Sequence, residues 1–261
     1  MLDNNTISKL RDMKMGVMAT EFRNQLGNPD FSEMTFEERI GLMVDAEWTT
    51  RQNNRLNRLI RSAGFSMPSA CIEDIEYHPD RQLDKSLITR LGTCNFVAER
   101  HNIIMVGATG GGKTYLANAF GVAAARKLYS VRYIRLPDLL GELAIARAEG
   151  TYRKIIKGYK QVSLLILDEW LLYALKDTEA RDLLEIAEAR YKKASTIFCS
   201  QFEVGGWHQK IGEPTLADAI CDRIVHDSYR IVIAEHNRDE SVSMRQRKGL
   251  VSQQPAVQAQ G

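Results

Sequence analysis

The chain has 261 residues, 35 Lys+Arg against 33 Asp+Glu, 44% hydrophobic residues and 26% charged ones. That length accommodates one large α/β domain, or one domain with a smaller appendage, and buries enough apolar surface to need no disulfide or metal staple. The composition excludes collagen-like and wholly disordered classes, and a formal net charge of only +2 confines any nucleic-acid surface to a local patch.

The four cysteines, Cys71, Cys94, Cys199 and Cys221, show no CxxC spacing and read as reduced, mostly buried thiols of a cytosolic protein. No stretch approaches the roughly 18 to 20 apolar residues of a membrane span. The first residues carry charges of both signs and lack an apolar signal core, so the expectation is a soluble cytoplasmic protein without a membrane partner.

In chain order, residues 1–70 are polar, helical in pattern and free of β-branched runs, predicting a small N-terminal domain of two or three helices. Between Trp48 and Ser62, Arg51, Arg55, Arg58 and Arg61 occur without an acidic residue and share one helical face, while Leu56, Leu59 and Ile60 lie mostly on another. Such a face suggests an anion partner, nucleic-acid phosphate foremost; a solvated face, or pairing with acids elsewhere in the fold, is the alternative. Residues 71–100 read as a connector with an acidic cluster (Glu73, Asp74, Glu76) and Pro79.

Residues 101–250 alternate short β-branched runs with longer amphipathic stretches, the pattern of a parallel sheet flanked by helices. The predicted strands are Asn102–Val106, Val131–Ile134, Val162–Leu167, Thr196–Ser200 and Arg230–Ala234, with helices near 114–128, 137–148, 178–193 and 215–227. Asp177 or Thr178 is the expected cap of the third helix. The tail, 251–261, is low in apolar content and predicted to be disordered.

The strongest signal is Gly107-Ala108-Thr109-Gly110-Gly111-Gly112-Lys113-Thr114, a full GxxxxGK[ST] match that follows an apolar strand and opens a helix at Tyr115. The glycines let backbone N–H groups turn onto phosphates, and the helix N-terminus adds a favourable dipole. Lys113 is expected to bridge the β- and γ-phosphates of ATP and Thr114 to ligate Mg²⁺. About one strand and two helices later, Leu164–Leu167 leads into Asp168 and Glu169. Asp168 is the expected carboxylate partner of Thr114 at the metal, and Glu169 the base that polarises water attacking the γ-phosphate. An adjacent Glu argues for a cycling ATPase rather than a small-molecule kinase. Ser200 or Gln201, at the end of the next strand, is a candidate for hydrogen bonding to the γ-phosphate or the water. Arg223 is a candidate finger for a neighbouring subunit's site, or a surface arginine paired with Asp222 or Asp227. Arg245, in the basic cluster with Arg247 and Lys248, is a candidate nucleotide contact or part of a solvated tail.

These residues, in this order, resemble AAA+ ATPases of the DnaA/DnaC-like initiator and helicase-loader branch, and within it the IstB family of insertion-sequence transposition helpers. The resemblance covers nearly the whole chain and includes Asn102–Gly107, Leu167-Asp168-Glu169, Asp222-Arg223-Ile224-Val225-His226 and Glu240–Arg245. It implies a five-stranded parallel P-loop sheet with Gly107–Thr114 as Walker A and Asp168-Glu169 as Walker B. It also implies Arg223 as arginine finger and Gln201 at a position often occupied by Asn. A helical insertion at Leu136–Gln161 is implied to touch DNA, and there Arg153, Lys154, Lys157 and Lys160 fall in a stretch without acids. The function implied is ATP-dependent homo-oligomerisation on duplex DNA, with active sites at subunit interfaces, and delivery of a partner transposase to target DNA. A replicative helicase loader is the nearest alternative, and a P-loop small-molecule kinase the alternative of another class.

Overall fold

The apolar runs between the predicted helices form one sheet in the computed structural model, which describes residues 2–233. The chain divides at Arg58/Leu59 into two compact units.

The first unit holds α1 (Leu2–Asp12), α2 (Gly16–Gln25) and most of α3 (Phe36–Ala63). Thr35 and Glu38 start α3 with a reciprocal cap, the Thr35 N–H donating to the Glu38 carboxylate at 2.8 Å and the Glu38 N–H to Thr35 Oγ1 at 3.3 Å. Ile7, Leu10 and Ala19 form a small core with Met15, Met18 and Phe22 packed on it. The start of α2 lacks a capping side chain of its own. Glu47 of α3 supplies the acceptor instead, its Oε2 taking the N–H groups of Val17 and Met18 at 3.0 Å each.

The second unit begins with the last turn of α3 and continues through α4 (Lys85–Gly92) and α5 (Asn95–Glu99) into the sheet. Its core elements run β1 (Asn102–Gly107), α6 (Lys113–Arg126), β2 (Val131–Arg135), α7 (Leu136–Ala148), α8 (Tyr152–Gln161) and β3 (Leu164–Trp170). They end with α9 (Asp177–Arg190), β4 (Ser195–Ser200), α10 (Trp207–Ile211), α11 (Pro214–Val225) and β5 (Ser228–Ile233). All pairings are parallel, in the order β2-β3-β4-β1-β5. Helices flank the sheet, and β1, β3 and β4 are buried almost throughout, as near-continuous apolar runs require.

Most boundaries differ from the sequence expectation by one to three residues, and three of the differences have a local cause or bear on the site. β3 starts at Leu164, not Val162, and runs on through Asp168 and Glu169 to Trp170. It continues because the pairing with β4 shifts register between Leu167 and Trp170, leaving the two carboxylates in an irregular stretch with Glu169 at φ 54°. β5 begins at Ser228, two residues before its predicted start, while Ala234 lies outside the described residues. The cap of α9 is the extended Lys176, whose N–H donates to Glu179 at 2.8 Å, so Asp177 and Thr178 fall inside the first turn.

Arg190 organises one end of this unit from inside. It is buried, and its guanidinium donates to the carbonyls of Tyr159 (2.9 Å), Val162 (2.8 Å) and Ser195 and to Thr196 Oγ1 (2.9 Å). One cation thereby satisfies the last carbonyls of α8 and the first residues of β4.

Candidate functional site: a phosphate loop beside two carboxylates

Because β4 lies between β1 and β3, the loop after β1 and the carboxylates of β3 face each other across the end of β4. The loop needs glycine at two turns: Gly110 and Gly112 have φ of 86° and 94°, a region that L side chains resist. Gly112 then serves as the N-cap of α6, and the orphan N–H groups of its first turn open onto a cavity. Thr109, Gly110, Gly112, Lys113, Thr114, Tyr115, Asp168, Glu169 and Gln201 all line that cavity.

Gly107, Ala108 and Gly111 act through their backbone. Lys113 Nζ donates to the carbonyls of Gly107 (2.6 Å) and Ala108 (2.7 Å), and the Gly111 carbonyl accepts from Arg81 Nη2 at 3.0 Å. Thr114 Oγ1 donates to Asp168 Oδ2 at 2.8 Å. An alcohol and a carboxylate in contact beside a phosphate-binding helix N-terminus are hard oxygen donors, the set that suits Mg²⁺. The site therefore fits a magnesium–nucleotide, with Thr114 and Asp168 as the residues that would hold the metal.

Glu169, next along, receives Arg135 Nη2 at 2.7 Å. The same contact stabilises the Arg135 cation further, and the carboxylate is held toward β2. At the end of β4 the two candidates separate. The buried Ser200 hydroxyl donates to the Trp170 carbonyl at 3.2 Å and accepts the Phe202 N–H at 3.1 Å, which commits it to shaping the strand end. Gln201 is the one that reaches the cavity.

Arg223 is not among the cavity's lining residues. It pairs with Glu188 of α9 at 2.9 Å, not with Asp222 or Asp227. Asp222 instead contacts His226, four residues on and one turn further along. Arg245 lies outside the described residues. Sequence reading missed three groups here: Arg81, Arg135 and Tyr133, whose hydroxyl donates to Asp168 Oδ2 at 2.8 Å. The first comes from the segment read as a connector, which lines the cavity with Ile75, Glu76 and Arg81.

The basic faces divide in the same way. On α3, Arg51 donates to Glu47 at 2.6 Å and to the Lys14 carbonyl at 2.6 Å, whereas Arg55, Arg58 and Arg61 are exposed. On α8, Lys160 pairs with Glu185 at 2.5 Å, while Arg153, Lys154 and Lys157 are exposed, and among the described residues no carboxylate pairs with them. Arg51 and Lys160 are thus occupied by structural pairs, because Glu47 just upstream and Glu185 on α9 fall outside the acid-free stretches that drew attention to them. Among the described residues there is no cluster of His, Cys, Asp and Glu able to hold a metal on its own, and no helix long and apolar enough to cross a membrane. Cys94, Cys199 and Cys221 are buried free thiols and Cys71 is half-buried.

Strand order, phosphate loop and the Asp-Glu pair define a P-loop fold of the AAA+ type. Its sheet is similar to that of DnaI (TM-score 0.56, 23% identity, over 68% of this chain and 94% of that one). It also matches the DnaC helicase loader (0.53, 22%, over 63% and 96%). AMPPCP-bound DnaA from Aquifex aeolicus is a third such structure (0.57, 18%, over 70% and 64%).

The sequence narrows this further: the model of the IstB-like ATP binding protein family matches residues 8–249, and the chain belongs to that family. An insertion sequence ATP-binding protein of Sinorhizobium fredii, y4pL, is 38% identical over 95% of this chain and 99% of its own. The ATP-binding protein of insertion sequence IS1162 from Pseudomonas fluorescens is 38% identical over 77% and 87%.

Proposed function

We propose that the protein is a magnesium-dependent ATPase that assembles on duplex DNA and helps a transposase choose its target. The observation that carries this reading is the pairing of a complete phosphate loop with Asp168 and Glu169 in a chain of an insertion-sequence family. Lys113 and the N–H groups at the start of α6 bind the phosphates, and Thr114 with Asp168 holds the metal. When bound, Mg²⁺ neutralises charge on the β- and γ-phosphates. Glu169 orients and deprotonates the attacking water once it is free of Arg135, and Gln201 hydrogen-bonds the γ-phosphate or that water.

Arg223, outside its own chain's cavity and at the end of α11, serves a neighbouring copy's site, so assembly and turnover are coupled. Arg153, Lys154 and Lys157 supply the sequence-independent phosphate contacts, with Arg55, Arg58 and Arg61 as a second such face.

The test is ATP hydrolysis with and without duplex DNA, together with particle size by light scattering, for the wild type and Glu169→Gln. The expected result is DNA-stimulated turnover in the wild type. The variant should turn over on the order of 100-fold more slowly and persist as a large DNA-bound assembly. Two monomeric proteins indifferent to DNA would overturn the reading, as would transfer of the phosphoryl group to a small acceptor. Capture of a hexameric helicase instead of a transposase would move the chain to the loader function.

A further inference from the structure

The metal-binding carboxylate is oriented from a strand that carries none of the nucleotide motifs. Asp168 accepts three hydrogen bonds: Thr114 Oγ1 and Tyr133 Oη on Oδ2, each at 2.8 Å, and the Glu169 N–H on Oδ1 at 2.9 Å. Three donors fill most of a carboxylate's acceptor sites and fix its plane.

They are not equivalent. A threonine hydroxyl that ligates a cation offers it a lone pair while its one proton stays on Asp168, so Thr114 is shared between metal and carboxylate. Tyr133 has no such second task. Its ring is buried on β2, and its hydroxyl is directed at Asp168 alone among the carboxylates of the site.

The side chain of Ser66, in the segment that follows α3, lies beside that hydroxyl. Asn118, fully buried on α6, ties that segment down. Its Nδ2 donates to Ser66 Oγ at 3.1 Å and to the Thr114 carbonyl at 2.7 Å, and its Oδ1 accepts the Met67 N–H at 3.2 Å. One buried amide therefore ties the Thr114 backbone to the segment beside Tyr133.

We infer that Tyr133 is a positioning residue for the magnesium site, holding Asp168 in the orientation that accepts the metal, with Ser66 as its support. The inference rests on the magnesium–ATP reading above. Outer-shell partners of this kind change metal affinity more than they change binding of the rest of the ligand.

The experiment is a fluorescent-ATP titration of the full chain, first in EDTA and then across a Mg²⁺ series, on wild type, Tyr133→Phe and Ser66→Ala. Phe keeps the buried ring and removes only the hydroxyl. For Tyr133→Phe, affinity in EDTA should stay within about 2-fold of wild type while the Mg²⁺ concentration at half-effect rises about 10-fold. Ser66→Ala, at an exposed position that tolerates the change, should shift the Mg²⁺ midpoint in the same direction by roughly 2-fold. It keeps the test decisive if Tyr133→Phe fails to fold.

A wild type that does not bind ATP, or binds it without regard to Mg²⁺, would sink the ATP reading itself. A wild type that responds to Mg²⁺, beside variants with an unchanged midpoint, overturns the role of Tyr133 alone. So does a variant weakened equally in EDTA and in Mg²⁺, since that is the mark of general structural damage.

Discussion

Helices α3 and α8 carry similar runs of cations, yet their charges are supported differently. On α3 the first arginine of the run, Arg51, is spent inside the first unit, bridging Glu47 and the Lys14 carbonyl, and the later ones stand in solvent. On α8 the last cation, Lys160, is spent on Glu185, and Ile156 and Tyr159 of the same helix are buried. The C-terminal carbonyls of α8 are gripped by the buried Arg190. A cation run thus holds both structural and available charges, and spacing alone does not sort them. What distinguishes them is an acid one turn away, or on the helix packed alongside.

The sharpest way to break this comparison is to release α8. Arg190→Met leaves the carbonyls of Tyr159, Val162 and Ser195 without their donor in a buried place. The expected loss is about 3 kcal/mol of unfolding free energy in denaturant titrations, with weakened DNA binding at salt concentrations the wild type tolerates. Intact stability would mean that α8 holds its place without Arg190. A smaller effect sharpens the contrast within α8 itself. Removing Arg153, Lys154 and Lys157 together should flatten the dependence of log affinity on log salt by about 3, one per phosphate contact. Lys160→Ala should change that slope by less than 1, because its ammonium is already paired. Equal slopes for the triple variant and wild type would remove DNA from this face.

The sheet and the phosphate loop were legible because they are local. An apolar strand, a glycine-rich turn and a helix start are all contiguous in Asn102–Arg126, and the run Leu164–Leu167 announces a buried strand. The exact course of β3 past Asp168 was not, because the register shift that lets it continue belongs to its pairing with β4. Tyr133 and Arg135 were invisible for a related reason: only the β2–β3 register sets Arg135 beside Asp168 and brings Tyr133 within reach of it. Arg81 arrives from a stretch whose acids and proline suggested a mere linker. That Ser200 bonds to Trp170 and Phe202 while Gln201 lines the cavity is strand-end geometry that no periodicity encodes.

The smallest predicted effect tests the structural half of α3. The two α2 N–H groups, with the Met18 bond the largest contribution, and the Arg51 guanidinium stabilise the Glu47 anion and hold its carboxyl below the usual 4.5. A group whose pKa is lowered by folding stabilises the fold above its unfolded value and loses that contribution as pH falls through the folded one. Glu47→Gln should therefore melt below wild type at neutral pH, by an amount equivalent to about 1 kcal/mol for a lost helix cap. The gap between the two proteins should close as pH is lowered below 4.5 and through the depressed folded value, as thermal melts followed by circular dichroism at each pH would register. A gap that persists unchanged in acid would mean that the shape of Glu47, and not its charge, starts α2, and that Arg51 is as available to a phosphate as Arg55.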